Sequence, residues 1–429
     1  MMLNQKKYLS EEIIQILVFI LVFTIFFPES KIGFTGVTLI IPYQYYGSPL
    51  NKPYIFEIII ILILISFFIG LIQGKIHWKK TKPVIYVIWL LYLSLLLLPI
   101  TVLSGFKLNH LDYFRIIFES LCLFVVVNHV TWEENDIRKI INVFIFAAFF
   151  NGLVALIGFL EIFILPWQQN IIEVTGRYAG LFSQPSRLSL LISMAFIMLL
   201  AKLFNQRRLS IITFLHFLVL LVFVVVLALA QNRGPAIAIL IVFPFALYLF
   251  FENIGRNSFL LTVLVAFGAV LLKKNNLFYV YYSRFLLPEV VHSYSVFQPI
   301  YELLKAARYS RWAGGLRVMV KYPFGVGYTF LPEVGHAHSD LLNWGAMFGI
   351  VGLLFLILFI VTYFVQVANF IKHTFDGNNE LKIILLGISV FLLAGFFEPF
   401  LIMPIAFWFW LFTGISLSYT YSSINAVSC

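Results

Sequence analysis

The sequence predicts an all-α polytopic membrane protein, and three observations lead there. Hydrophobic residues make up 62% of the 429-residue chain. Charged residues make up only 11%, against about 25% in ordinary globular domains. Mean hydropathy is +0.98, so lipid rather than water is the solvent for most side chains. A chain this poor in charge cannot cover a water-facing surface, which excludes soluble and disordered classes. The two cysteines, Cys122 and Cys429, support neither a disulfide framework nor a thiolate metal site. The 48 Phe, 21 Tyr and 8 Trp suit lipid-facing helices and interfacial belts.

A bilayer core takes roughly 20 apolar residues per helix. Cut at its polar breaks, the chain yields about twelve spans in a single integral membrane domain over 1–429. They lie near 12–27, 55–73, 83–104, 112–130, 139–165, 186–204, 209–230, 235–251, 257–273, 339–369, 382–397 and 399–421. The first lacks a small-residue cleavage site and is read as a retained helix. The fourth carries Asp112, Arg115 and Glu119, and the last two are separated only at Glu398-Pro399. Between the ninth and tenth spans lies one long loop, 274–338, of a length that usually serves function. Within it, 301–322 reads as a helix ended by Pro323, with Arg308, Arg311 and Trp312 on one face. The same basic helix, with its aromatics, also suits a place along the membrane surface.

An even number of spans puts both termini on one side. Fourteen of the 29 basic residues, including Lys6, Lys79, Arg138 and Lys202, fall on that side; seven lie in short connections opposite and eight in and beside the long loop. The positive-inside rule then places the termini in the cytoplasm and the long loop outside. The net charge of +10 follows from this arrangement. Patches such as Lys75-Ile76-His77-Trp78-Lys79-Lys80 are topology signals, and no nucleic-acid partner is expected.

Four polar motifs interrupt the apolar sequence, and this threading puts all of them on the outer face. They are Gly176 to Arg187; Gln231-Asn232-Arg233-Gly234-Pro235; the Arg308-to-Trp312 segment with Pro323-Phe324-Gly325-Val326-Gly327; and His336-Ala337-His338-Ser339. Arg233 has almost no loop in which to leave the hydrocarbon, where a central arginine costs about 2.5–3.5 kcal/mol. Two readings stand: snorkelling to headgroups, or a fixed bidentate donor to an anion such as phosphate. His338 is either a polar cap or a general base. His336 nearby raises a metal site, but no HExxH pattern or acidic cluster accompanies it. The glycines at 345, 349 and 352 permit close packing of the tenth span.

These residues resemble a known superfamily, the O-antigen ligases and polymerases. His338-Ser339, nine residues, then Gly349-Ile350-Val351-Gly352 resembles its His, small polar residue, nine residues, GxxG signature. Arg308, Trp312 and the Pro323-x-Gly325-x-Gly327 turn look like its loop segment, and Arg233-Gly234 its membrane-edge arginine. Gly180-Leu181-Phe182-Ser183-Gln184-Pro185-Ser186 is similar to its G-x-F-x-x-P-S/N element, where the Pro-Ser ending and Arg177 lean toward polymerases. The resemblance covers roughly 170–420. It departs at Ser339, where Asn is commoner, and at Gln184, where polymerases often have Glu.

The resemblance implies a GT-C-type glycosyltransferase at the outer face of the bacterial cytoplasmic membrane. Its donor is a glycan on undecaprenyl diphosphate, and it needs no metal or other cofactor. Arg233 and Arg308, with Arg311, would bind the diphosphate, and His338 would activate the acceptor hydroxyl for inverting transfer. Arg177, Gln184, Ser186, His336, Ser339 and Glu398 are candidate contacts to donor or acceptor. The expected activity is polymerisation of lipid-linked repeats. A ligase moving the glycan to lipid A core or another acceptor shares the motifs, and a flippase or transporter is the rival from another class. Membrane lipids, a chain-length regulator and a flippase are the implied partners. No inverted repeat is evident, and the polar groups sit away from the midplane, which disfavours transport.

Overall fold

A computed structural model describes residues 9–23, 55–79, 81–103, 109–164, 176–182, 184–206, 210–250, 309–329, 337–373 and 379–428, with Gln169 and Ile172. All regular structure among them is helical. The α-helices are α1 Leu9–Phe23, α2 Ile55–Ile72, α3 Lys82–Leu103, α4 Asn109–His129, α5 Glu134–Phe159 and α6 Pro185–Asn205. They continue with α7 Ile211–Ala230, α8 Arg233–Leu249, α9 Tyr309–Lys321, α10 Asp340–His373, α11 Asn379–Gly395 and α12 Ala406–Ser428. A 3-10 turn, η1, spans Gly327–Thr329. Helices cover eleven of the twelve expected segments; the ninth, 257–273, lies outside the described residues. Among the described residues, five helices are long and apolar enough to cross a membrane: α3, α5, α6, α7 and α10.

Helix α6 is the hub. It packs on α5, α7, α8 and α11, and nearly every residue from Leu188 to Phe204 is buried. An all-round apolar helix suits a place surrounded by other helices or by lipid, and here other helices surround it. Peripheral α2 shows the other solution. Ile58, Ile61, Ile65, Phe68 and Ile72 point outward while Ile60, Ile63 and Phe67 point inward, as a helix between protein and lipid requires. Around α12, Phe124, Phe144, Phe359 and Phe391 meet Trp408, Phe409, Trp410 and Phe412, half of the contacts edge to face, a favoured geometry for ring quadrupoles.

Two boundaries differ from the sequence expectation, each for a physical reason. Helix α10 runs for 34 residues but breaks at Gly349 (φ 71°, ψ −174°), which leaves a short lead-in before a span of roughly 35 Å at 1.5 Å per residue. The division at Glu398-Pro399 is an irregular segment over 396–405, buried from Pro399 to Ile402, rather than a tight turn, so α12 starts at Ala406. Pro399 and Pro404 lack the N–H groups that a continuing helix needs. Asp340 Oδ1 accepts the freed Leu401 N–H at 2.6 Å. In α4, the charge of Arg115 is met by Glu57 of α2 at 2.9 and 2.5 Å, which makes this helix compatible with a low-dielectric setting. The expected helix over 301–322 is present from Tyr309, and 301–308 lies outside the described residues.

Candidate functional site

Several helix ends meet at one end of the bundle, and the polar motifs lie on them. Gln231 closes α7 in the left-handed conformation (φ 48°), its N–H bonded to Leu227 O at 3.2 Å. Asn232 caps α8 through Gly234 N–H at 3.2 Å. Arg233 is therefore the first residue of α8, half-buried. Gly234 packs closely, since a Cβ there would lie 3.0 Å from Phe397 Cβ and 3.6 Å from Ala394 O. This close approach ties the Arg233 motif to the end of α11. The first motif joins from the other side. Tyr178 N–H donates to Leu229 O at 3.3 Å, and Gly180 (φ 60°) sits against Asn151 O. Burial and the Glu161 carboxylate push the Tyr178 phenol upward. Gln184 precedes α6 in extended conformation, with Pro185 and Ser186 opening the helix. Arg187 reaches Met403 Sδ in the 396–405 segment at 3.3 Å.

The third and fourth motifs dock on each other through glycine. Gly325 (φ 86°) would place a Cβ 2.2 Å from Met347 O, and Gly349 one 2.2 Å from Pro323 O. Only glycine permits this approach and these backbone angles. Two hydrogen bonds close the junction, Ile350 N–H to Pro323 O at 2.8 Å and Val326 N–H to Ala346 O at 3.1 Å. Beyond it, Gly327 abuts α3 at Thr101 Oγ1, and buried Tyr328 bonds Ser94 Oγ at 2.8 Å. The glycine at 345 faces Met319 of α9, while Gly315 of α9 rests on Ala337 and Leu342. Helix α9 is thereby fixed against the start of α10, with Arg311 in its first turn.

His338 is at the centre of this assembly. Its backbone is left-handed (φ 50°), which is uncommon for a residue with a side chain. Flanking bonds hold it there. Ala337 N–H donates to Asn343 Oδ1 at 2.9 Å, buried Ser339 accepts from Asn343 N–H at 3.0 Å, and Asp340 is pinned to Leu401. The His338 Nδ1 atom lies 3.3 Å from Glu398 Oε2, and Nε2 contacts the Arg311 guanidinium. A guanidinium can only donate, so Nε2 accepts; Nδ1 then carries the proton and donates to the carboxylate. This contact pattern fits the tautomer in which Nε2 is the acceptor atom of the ring. A base oriented by a third group in this way is a common catalytic device.

The structure thus brings Arg311, His338 and Glu398 into direct contact and packs the backbone beside Arg233 on the segment that holds Glu398. Gln184 and Ser186 lie at the start of α6, whose Arg187 reaches that segment, and Arg177 precedes Tyr178, which bonds the end of α7. Arg308 and His336 lie outside the described residues. Sequence reasoning assigned Glu398 no more than a substrate contact and left out Asp340, Asn343 and Arg187. Glu398 carried a signal: it is the one charged residue after Lys382, and an isolated acid in an apolar run marks function by default. Among the described residues no three His, Cys, Asp or Glu side chains converge as metal ligands. No known family model and no curated protein matches this chain.

Proposed function

We propose that this protein is a polymerase that joins undecaprenyl-diphosphate-linked oligosaccharide repeats at the outer face of a bacterial cytoplasmic membrane, as a GT-C-type inverting glycosyltransferase. The observation that carries the reading is His338, oriented by Glu398, at the meeting point of the motifs that resemble the superfamily signature. Nε2 takes the proton of an acceptor hydroxyl. The hydroxyl oxygen bonds to the anomeric carbon from the face opposite the diphosphate, and the carbon–oxygen bond to the diphosphate breaks with its electron pair. Arg233 and Arg311, with Arg308, hold the growing charge, and His338 later loses its proton to water. Fixed guanidinium donors stabilise such charge without a divalent ion. The lipid-exposed apolar faces of the helices suit a prenyl chain.

The deciding experiment has two parts. Purified protein in detergent, without any gradient, should elongate a lipid-linked repeat; absence of transfer by the folded protein would refute the enzyme reading. A deletion strain should accumulate single-repeat lipid-linked glycan. Accumulation of long chains would assign a ligase instead.

A further inference from the structure

We propose that Arg311 is a donor-responsive gate on the base: its guanidinium caps His338 Nε2 until a diphosphate draws it away. The proposal rests on the reading of His338 as general base and adds an order to the reaction, diphosphate first and proton transfer second.

The geometry makes Arg311 the moving part. His338 is held by its left-handed backbone, by the bonds of Ala337 and Ser339 to Asn343, and by Glu398 on Nδ1. The imidazole therefore has no second basic atom and little freedom to turn. Arg311 is exposed in the first turn of α9. That helix is anchored further along at Gly315 and at Met319, which packs on Gly345 of α10, so the long side chain can swing without moving its backbone. In the capped state the lone pair of Nε2 is occupied and cannot accept a hydroxyl proton. A single guanidinium bond to an imidazole is the weaker choice, because a diphosphate carries the opposite charge and offers two parallel bonds to the fork. Donor binding thus exchanges a weaker partner for a stronger one and frees Nε2 at the same moment. Without donor the base stays capped, which keeps the site from deprotonating water or acceptor to no purpose.

The test needs no turnover. Diethyl pyrocarbonate acylates an unprotonated, accessible imidazole nitrogen, and mass spectrometry of the His338 peptide reads it separately from the other histidines. In the full chain in detergent, inorganic pyrophosphate should raise the His338 acylation rate about tenfold over sodium chloride of equal ionic strength, which corresponds to a cap worth about 1.4 kcal/mol. Arg311→Ala should react at the fast rate with or without pyrophosphate. An unchanged rate, or protection by pyrophosphate, in the unaltered protein overturns the gate, and this arm does not depend on the variant folding. Farnesyl diphosphate in a parallel arm assigns the source: a response at lower concentration points to a lipid-linked diphosphate, and an equal one to the free anion. Failure of the gate and failure of the polymerase reading remain separable. Glycosyl transfer without the acylation response removes the gate alone, and the response without transfer removes the polymerase.

Discussion

At the end of the bundle that carries Lys79, Arg138 and Lys202, each cation is held by a structural partner. Arg138 bonds Glu380 at 2.7 Å and Glu134 at 2.8 Å. Lys79 reaches Ser418 at 2.8 Å and Val130 O at 3.3 Å, tying the end of α4 to α12, and Lys202 donates to Asn142. At the opposite end Arg311 sits on an imidazole rather than a carboxylate, and the carboxylate within reach, Glu398, holds the other ring nitrogen. The contrast teaches that the basic residues of this chain do two kinds of work. One set anchors helix ends; the other is arranged around a left-handed histidine and glycine-dependent turns, a more costly architecture than anchoring requires.

The comparison breaks most sharply at His338. His338→Ala should lower transfer by about 10²–10⁴-fold, the usual contribution of a general base, with unchanged membrane insertion. Full activity on a synthetic lipid-linked repeat would remove the base assignment. Arg233→Lys should cost about tenfold or more in transfer, because a point charge cannot replace one bidentate contact; a wild-type rate would return Arg233 to snorkelling.

Two glycines with positive φ sharpen the contrast in stability. Gly325→Ala combines a left-handed backbone with a Cβ 2.2 Å from Met347 O, whereas Gly74 (φ 65°) at the other end has nothing within 4 Å. Gly74→Ala should cost about 1–2 kcal/mol, the left-handed penalty alone, and Gly325→Ala distinctly more. Thermal melting in detergent orders the two, and equal losses would mean that the Gly325–Gly349 junction is not tightly packed.

The anchoring end has its own pH signature. Burial pushes the Lys79 amine down from 10.5 to about 8, against the opposing pull of Glu11. Between about pH 8 and 10.5 the unfolded chain binds more protons at this position than the folded one, so stability rises with pH across that window. The rise should disappear in Lys79→Met, measured as the difference in melting temperature between pH 8 and 10. The smallest effect belongs to Arg138→Ala. The arginine is half exposed, so its loss should change stability by about 0–1 kcal/mol and leave transfer intact.

Much of this arrangement is legible in the sequence, because apolar runs of membrane length and their polar breaks are local features. Helices stand over eleven of the expected segments, and the spacing of His338, Gly349 and Gly352 marks the motif that docks on Pro323 to Gly327. What the sequence did not reveal were the consequences of chain pairing. The break at Gly349 depends on a turn that packs against it from a different segment. The irregular stretch at 396–405 depends on Asp340 to satisfy a backbone donor that two prolines leave open.

By itself, then, the sequence determined the solvent, the helical class and the residue types available for chemistry. Lipid demands apolar helices whose backbone bonds close internally, and composition alone meets that demand. Only the tertiary structure decided which polar groups meet. His338 and Glu398 stand 60 residues apart in the chain, and Arg311 lies 27 before the histidine. Local propensity carries no information across such distances. The contacts exist because glycine-mediated packing of α9 on α10, and of α8 on the end of α11, fixes three helix termini within hydrogen-bond reach.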